Sequence, residues 1–256
     1  MTIPQILPQT SHFTAPDGTR IAVHEMGEGR PLILLHGYFS DAATNWIKYG
    51  HTAVLAHAGF RVIMPDLRAH GHSGKPHDPA FYPPDILADD QLALIDHLGI
   101  TDFDLGGYSL GGRTVGRLLA RGVRPGKAII SGMGLTGLTQ TQGRGAFFAH
   151  VLDNLGRHEK HSRAWMAEAF LKSSGGDPFA LRLILETFVD TSVEALAALT
   201  LPVAVVCGVD DQDNGSAEDL AAVLPAGTLT PIPGNHMSAV TKPELGTAIR
   251  DFLIAK

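Results

Sequence analysis

Short apolar runs recur along the chain, and each closes on glycine, proline or serine. Leu32-Ile33-Leu34-Leu35 leads into His36-Gly37. Phe60-Arg61-Val62-Ile63-Met64 ends at Pro65-Asp66. Phe103-Asp104-Leu105 ends at Gly106-Gly107, Lys127-Ala128-Ile129-Ile130 at Ser131-Gly132, and Val203-Ala204-Val205-Val206-Cys207 at Gly208. Runs of this length with little polar alternation are the pattern of parallel strands buried on both faces. Residues 228–233 read as one more strand, and Pro231 and Pro233 place it at a sheet edge. The opening differs. Residues 11–15 and 19–24 flank Asp17-Gly18 and predict an antiparallel hairpin.

Helical spacing fills the gaps between these runs. Residues 85–97 carry Ile86, Leu87, Leu94 and Ile95 near one face, with Gly99 as a stop signal. Residues 110–121, 217–224 and 243–254 follow the same pattern. The alternation predicts an α/β chain with a mostly parallel central sheet flanked by helices on both faces. Between residues 133 and 200 the rhythm breaks. No strand pattern occurs there, while helical patterns run over 147–155, 162–171, 179–187 and 193–199. This predicts one domain, residues 1–256, whose core is about 1–132 and 201–256 and whose residues 133–200 form an inserted helical lid. No internal repeat is visible.

Composition narrows the function. The chain has 256 residues, 44% hydrophobic and 18% charged, which suits one packed domain rather than a disordered segment. Its net charge is −6 and it has no basic block, so no nucleic-acid partner is expected. The single cysteine, Cys207, excludes an internal disulfide framework and a cysteine-rich zinc module. No window approaches about 18 uninterrupted apolar residues, and Met1 to Gln5 have neither a basic start nor an apolar core. The expectation is a soluble, cytoplasmic protein with no membrane partner. Glycine stands out at 29 residues, which points to turns of special backbone geometry.

One such turn carries chemistry. Gly107-Tyr108-Ser109-Leu110-Gly111 matches G-x-S-x-G between a predicted strand and a predicted helix. Chance alone supplies that pattern about 0.14 times in a chain of this glycine and serine content, so the strand-to-helix setting gives it its weight. A serine hydroxyl needs a base, and the base needs an orienting acid. Asp210, Asp211 and Asp213 follow the 203–207 run. His236 follows the last strand, in Gly234-Asn235-His236-Met237. An oxyanion hole needs fixed N–H donors. The backbone of Leu110 supplies one, and that of Tyr38, after His36-Gly37, the other. Two further patterns have plainer readings. Gly132 to Gly137 matches G-x-G-x-x-G but lacks the following helix and acid of a dinucleotide site, so it reads as a hinge into the lid. His70, His72 and His77 share a loop without carboxylates at a zinc spacing, so no metal is expected.

Taken together, these stretches resemble the α/β-hydrolase-fold serine hydrolases. The resemblance rests on Leu34 to Tyr38, Met64-Pro65-Asp66-Leu67-Arg68-Ala69-His70-Gly71-His72-Ser73, Gly107 to Gly112, Gly208 to Asp211 and Gly234 to His236, and it covers almost the whole chain. It is strongest for the lid-bearing branch of carboxylesterases, enol-lactonases, cofactor-free haloperoxidases and carbon–carbon bond hydrolases. It implies Ser109 as nucleophile, His236 as base and Asp211, three after the glycine, as acid. The nucleophile of epoxide hydrolases and haloalkane dehalogenases of this fold is an aspartate, which Ser109 replaces. Carbon–carbon bond hydrolases carry a glycine-richer loop where Tyr38-Phe39-Ser40 stands. The implied activity is cleavage of an ester or lactone without a cofactor. The alternatives are perhydrolysis or carbon–carbon hydrolysis by the same triad, or a non-catalytic small-molecule receptor. Phe39, Phe147, Trp165 and Phe170 are the expected pocket residues, with Phe148, Met166 and Phe179 nearby. They suit a small, uncharged, fairly apolar substrate.

Overall fold

Eight strands form one sheet: β1 Gln9–Thr14, β2 Arg20–Met26, β3 Arg30–Leu35, β4 Phe60–Pro65, β5 Asp104–Tyr108, β6 Ala128–Ser131, β7 Val203–Gly208 and β8 Gly227–Ile232. The computed structural model describes residues 7–255, so the expectation drawn from Met1 to Gln5 lies outside the described residues. The spatial order is β1-β2-β4-β3-β5-β6-β7-β8. The β1–β2 and β2–β4 pairs are antiparallel and the rest are parallel. β1 and β2 are the hairpin foreseen around Asp17-Gly18. β8 is an edge strand, where Pro231 need not donate to a neighbour.

The apolar runs are unbroken because both faces of the sheet are covered. Along β3, Ile33 and Leu35 join one core and Leu32 and Leu34 the other. Helices α1 His51–His57 and α11 Pro243–Ile254 supply Leu55, Leu245 and Ile249 to the second core. Helices α2 Ile86–Leu98, α3 Leu110–Ala120 and α9 Ala217–Val223 supply Leu94, Leu118 and Leu220 to the first. Gly99 ends α2 in the left-handed region, at φ +61°. Between β6 and β7 lie α4 Leu135–Thr139, α5 Thr141–Asp153, α6 Arg163–Ser173, α7 Pro178–Leu185 and α8 Val193–Ala197, and α10 His236–Ala239 follows β8. Among the described residues, no helix is long and apolar enough to cross a membrane.

One expectation fails in the insertion. Gly132, Gly134 and Gly137 are not a loose hinge but close contacts. A Cβ at Gly132 would stand 2.7 Å from the Tyr108 ring, and one at Gly134 would stand 2.2 Å from the carbonyl oxygen of Gly215. Gly137 lies inside α4, with the Met133 sulfur 2.3 Å from its would-be Cβ. The polar stretch after it also folds, as α5.

Buried polar groups fix the loops above the sheet. Arg68 is fully buried and donates to Asp90 Oδ1 and Oδ2 at 2.7 and 2.9 Å, to Asp17 at 2.5 Å and to the Phe81 carbonyl at 2.7 Å. Asp66 Oδ1 accepts the Ala42 N–H at 2.9 Å, and its Oδ2 accepts the His72 N–H at 2.8 Å. His70 and His77 do not join His72 in a cluster. Its ring instead lies with His24 beside Asp66, where the three groups come within 4.8 Å of one another. The His36 ring donates from Nδ1 to the Gly37 carbonyl at 2.8 Å and accepts the Leu67 N–H at Nε2, 2.9 Å. Both ring nitrogens are used by the neutral form, and burial holds its pKa below the ordinary histidine value. His70 packs edge-on against His36 at 5.0 Å between ring centres, and burial, with His36 beside it, pushes its pKa down to about 3.

These two rings give a pH dependence. Above about pH 6.5 a histidine is neutral in the unfolded chain as well, so nothing is lost. As the pH falls through that value, the unfolded chain binds protons that folded His36 and His70 refuse, and folding stability declines. The thermal midpoint is expected to drop steadily from about pH 7 to about pH 5, with a smaller drop for His70→Gln. A midpoint constant across that range in the wild-type protein would contradict this.

Candidate active site

The site begins with a register. Leu35 pairs with Gly107, so the chain leaves β3 and β5 at the same level. The strand order reverses at this point, because β4 lies on one side of β3 and β5 on the other. A crevice at the carboxyl ends of the strands is the usual place for a site in such a sheet. The His36-Gly37-Tyr38 turn runs directly beside the serine: a Cβ at Gly37 would lie 3.5 Å from the Ser109 Cβ.

Ser109 joins β5 to α3 at φ +54° and ψ −112°, a conformation that costs a non-glycine residue about 1–3 kcal/mol. Close backbone contacts enforce it. A Cβ at Gly107 would stand 2.3 Å from the Gly111 carbonyl carbon, and one at Gly111 would stand 2.0 Å from the Leu35 oxygen. Hydrogen bonds hold both sides of the turn. The Ser109 N–H donates to the Ser131 carbonyl at 2.8 Å, and the Arg113 N–H to the Ser109 carbonyl at 2.9 Å. Leu110 is the first residue of α3, so its N–H has no partner within the helix.

The other two residues arrive from the far strands. Asp211 follows β7, and His236 opens α10, which Asn235 caps by accepting the Met237 and Ser238 N–H groups. The His236 Nε2 is 2.9 Å from the Ser109 Oγ, and its Nδ1 is 2.8 Å from the Asp211 Oδ2. Burial acts to raise the Asp211 pKa. The hydrogen bond and charge of His236 and the Asp213 N–H outweigh it and hold the carboxyl below its ordinary value. Asp210 is exposed, and the Asp213 carboxylate turns elsewhere, so of the three aspartates only Asp211 touches the histidine. Burial, reinforced by Asp211, pushes the Cys207 thiol up to about 12, which keeps it protonated and inert. Tyr108 has no forerunner in the motif reading. Its hydroxyl donates to the His236 carbonyl at 2.6 Å and so steadies the histidine from below.

A cavity of about 360 Å³ opens onto Ser109 and His236. Phe39, Phe147, Phe148 and Phe170 line it, together with Tyr38. Phe39 stacks on Tyr38 at 4.4 Å, while the Tyr38 hydroxyl is tied to the Leu181 carbonyl at 2.6 Å. Trp165 is a correction. On α6 the cavity side is Arg163, Met166, Ala167 and Phe170. Trp165 is turned about 100° from Met166 around the helix, and its ring packs on His161 at 5.4 Å. Phe179 is likewise outside, 53% exposed and against His77. Arg144, Arg163 and Asp213 also line the cavity. No local pattern announced them, because Asp213 meets Arg144 and Arg163 across 69 and 50 residues of chain.

The family model described as alpha/beta hydrolase fold matches residues 30–147, the span from β3 through the serine turn into α5. The chain has the α/β-hydrolase fold. A non-heme haloperoxidase of Rhodococcus erythropolis is 37% identical over 124 residues, 46% of this chain and 42% of that protein. A 2-hydroxymuconate semialdehyde hydrolase of Pseudomonas sp. strain CF600 is 33% identical over 112 residues, 44% of this chain and 39% of that protein. The matched part thus spans about two fifths of these curated relatives. An esterase of Exiguobacterium antarcticum has the same α/β-hydrolase architecture, with a TM-score of 0.77 at 21% identity, over 96% of this chain and 100% of that one.

The tightest packing in the fold sits under Ser109. Gly111→Ala places a methyl carbon against the Leu35 carbonyl, which backbone cannot yield cheaply, and is expected to cost about 3 kcal/mol or more. That corresponds to a Tm lower by roughly 6–12 °C. Calorimetry of the variant measures it, and an unchanged Tm would show that the elbow is not under this constraint.

Proposed function

We propose that this protein is a serine hydrolase that cleaves a carboxylic ester or lactone through an acyl-Ser109 intermediate. The observation that carries the reading is the unbroken chain from Ser109 Oγ to His236 Nε2, and from His236 Nδ1 to Asp211, at the floor of an accessible cavity. His236 takes the Ser109 proton as the oxygen attacks the carbonyl carbon. The N–H groups of Tyr38 and Leu110 receive the oxyanion. The same proton then leaves with the alcohol, and a water activated by His236 releases the acid. Asp211 accepts the Nδ1 hydrogen throughout, which fixes the tautomer and stabilises the imidazolium.

Ser109→Ala is expected to lower p-nitrophenyl ester hydrolysis by about 10³-fold or more and to abolish labelling by a fluorophosphonate probe. Asp211→Asn should cost about 10⁴-fold in kcat, while Asp210→Asn, an exposed side chain, retains activity. A Ser109→Ala protein that still turns over esters would sink the proposal.

A second reading has one observation behind it, the likeness to a protein named non-heme haloperoxidase. Peroxide in place of water would convert acyl-Ser109 to a peracid with the same residues. Comparing peracid formation with ester hydrolysis at equal acyl donor separates the two.

A further inference from the structure

The cavity is not electrically neutral. Asp213 is the only carboxylate lining it among the described residues, and two guanidinium groups share it. Arg144 Nη2 donates to Asp213 Oδ2 at 2.7 Å, and Arg163 Nη2 donates to Oδ1 at 2.5 Å. One positive charge is therefore left over. Arg144 is the buried partner, its side chain 15% exposed and its guanidinium stacked over Phe147 and Phe148 at 5.0 and 4.7 Å. The carboxylate of Asp211 is engaged by His236, makes no salt bridge to Arg144, and offsets its charge only through space and less than Asp213 does. Behind Arg144, Arg113 is buried over the Phe188 ring, with no carboxylate in salt-bridge range among the described residues. Asp190, on that side, is committed to the Thr141 N–H and hydroxyl. Burial pushes the Arg113 pKa down to about 10 and the neighbouring charge of Arg144 adds to this. Burial likewise lowers that of Arg144 in spite of Asp213. These cations are under-compensated in a largely apolar setting, where a further anion gains most.

We infer that Arg144, with Arg163, is a carboxylate-recognition element of this cavity, and that the ester or lactone cleaved here bears a free carboxylate. The inference rests on the hydrolase reading above and proposes a charged substrate in place of the uncharged one expected from the sequence. Asp213 splays the two guanidiniums and holds them at the cavity wall. Each keeps N–H donors that Asp213 does not use, since an arginine carries five. A substrate carboxylate completes the arrangement, while the aromatic wall covers the methylene chain between it and the scissile carbonyl. Arg144 thereby selects and positions the substrate, and does not act on the reacting bond.

The test compares mono-p-nitrophenyl glutarate with neutral p-nitrophenyl valerate. In the wild-type protein the ratio of their kcat/KM values is expected to favour the glutarate ester, and Arg144→Gln to lower that ratio by about tenfold or more, mainly through KM. Arg144→Lys should restore part of it. Asp213→Asn should raise the ratio, because it removes the competing carboxylate. A merely structural tie between the helical insertion and the Asp211 loop would depress both substrates instead. In parallel, glutarate binding to the Ser109→Ala protein is followed by calorimetry with and without Arg144→Gln. Glutarate bound through Arg144 without ester turnover would overturn the hydrolase reading and leave the carboxylate site standing. Ester turnover with a ratio and glutarate binding indifferent to Arg144 would overturn the carboxylate site alone.

Discussion

The approach of α3 to β3 is the constraint on which the site depends. Gly111 stands so close to the Leu35 carbonyl that no side chain fits between them, and Gly107 is equally close to Gly111. With both ends of the turn pinned, the intervening serine has no room for a relaxed backbone. It takes φ +54° and projects its hydroxyl from the top of the sheet. The strain is small against the cooperative packing around it. β5 lies between β3 and β6, all of its residues are buried, and the Ser131 carbonyl of β6 anchors the Ser109 N–H. A strained loop survives only where its surroundings over-determine it, and the centre of an eight-stranded sheet provides that.

From this fixed point the remaining geometry follows by register. Leu35 opposite Gly107 delivers the Tyr38 backbone to the serine, and β7 and β8 end level with each other at Gly208 and Ile232, so that Asp211 and His236 meet in the loops beyond. Loops alone would wander. Arg68 ties the first hairpin and α2 to the segment after β4, Asp66 ties that segment to Ala42, and His36 ties it to the β3 turn. These are buried and fully partnered groups, so they specify one arrangement where apolar packing would tolerate several. The proposed chemistry thus rests on loops tied down by buried hydrogen bonds above the sheet.

How much of this the sequence revealed depends on how local the cause is. The strands were legible because double burial forces continuous apolar runs, and α11 was bounded at Pro243 and Ile254 by its own signals. Ser109 was legible because its glycines are demanded by a contact four residues long. His236 and Asp211 could be read from order and strand ends, although choosing Asp211 over Asp210 and Asp213 needed the family pattern until the 2.8 Å contact decided the geometry. Trp165 was misplaced because aromatic character says a residue is half-buried and does not say against what. Only the rotation of α6 puts Phe170 in the wall and Trp165 beside it. The glycines at 132, 134 and 137 were misread for the same reason. Glycine permits looseness and also permits contact, and the choice is made by Tyr108 and Gly215, which are distant in sequence.

The arginines are the clearest case of information that no local pattern holds. Arg144, Arg163 and Asp213 belong to α5, α6 and the loop after β7, and each alone is an ordinary charged residue on a helix or in a turn. Brought together, they place two guanidiniums and one carboxylate in a wall that also carries Phe39, Phe147, Phe148 and Phe170. An apolar cavity could have been closed by leucine at Arg144 with no desolvation penalty, since buried ion pairs seldom stabilise a fold more than packed hydrocarbon does. The proposed contact with a substrate carboxylate accounts for a guanidinium at this position. The same stacking that desolvates Arg144 also holds its plane fixed, and a fixed, poorly solvated cation binds an anion with little reorganisation. On the proposed reading, specificity in this protein is written on the helices between β6 and β7, while the turns after β5, β7 and β8 supply the reacting groups.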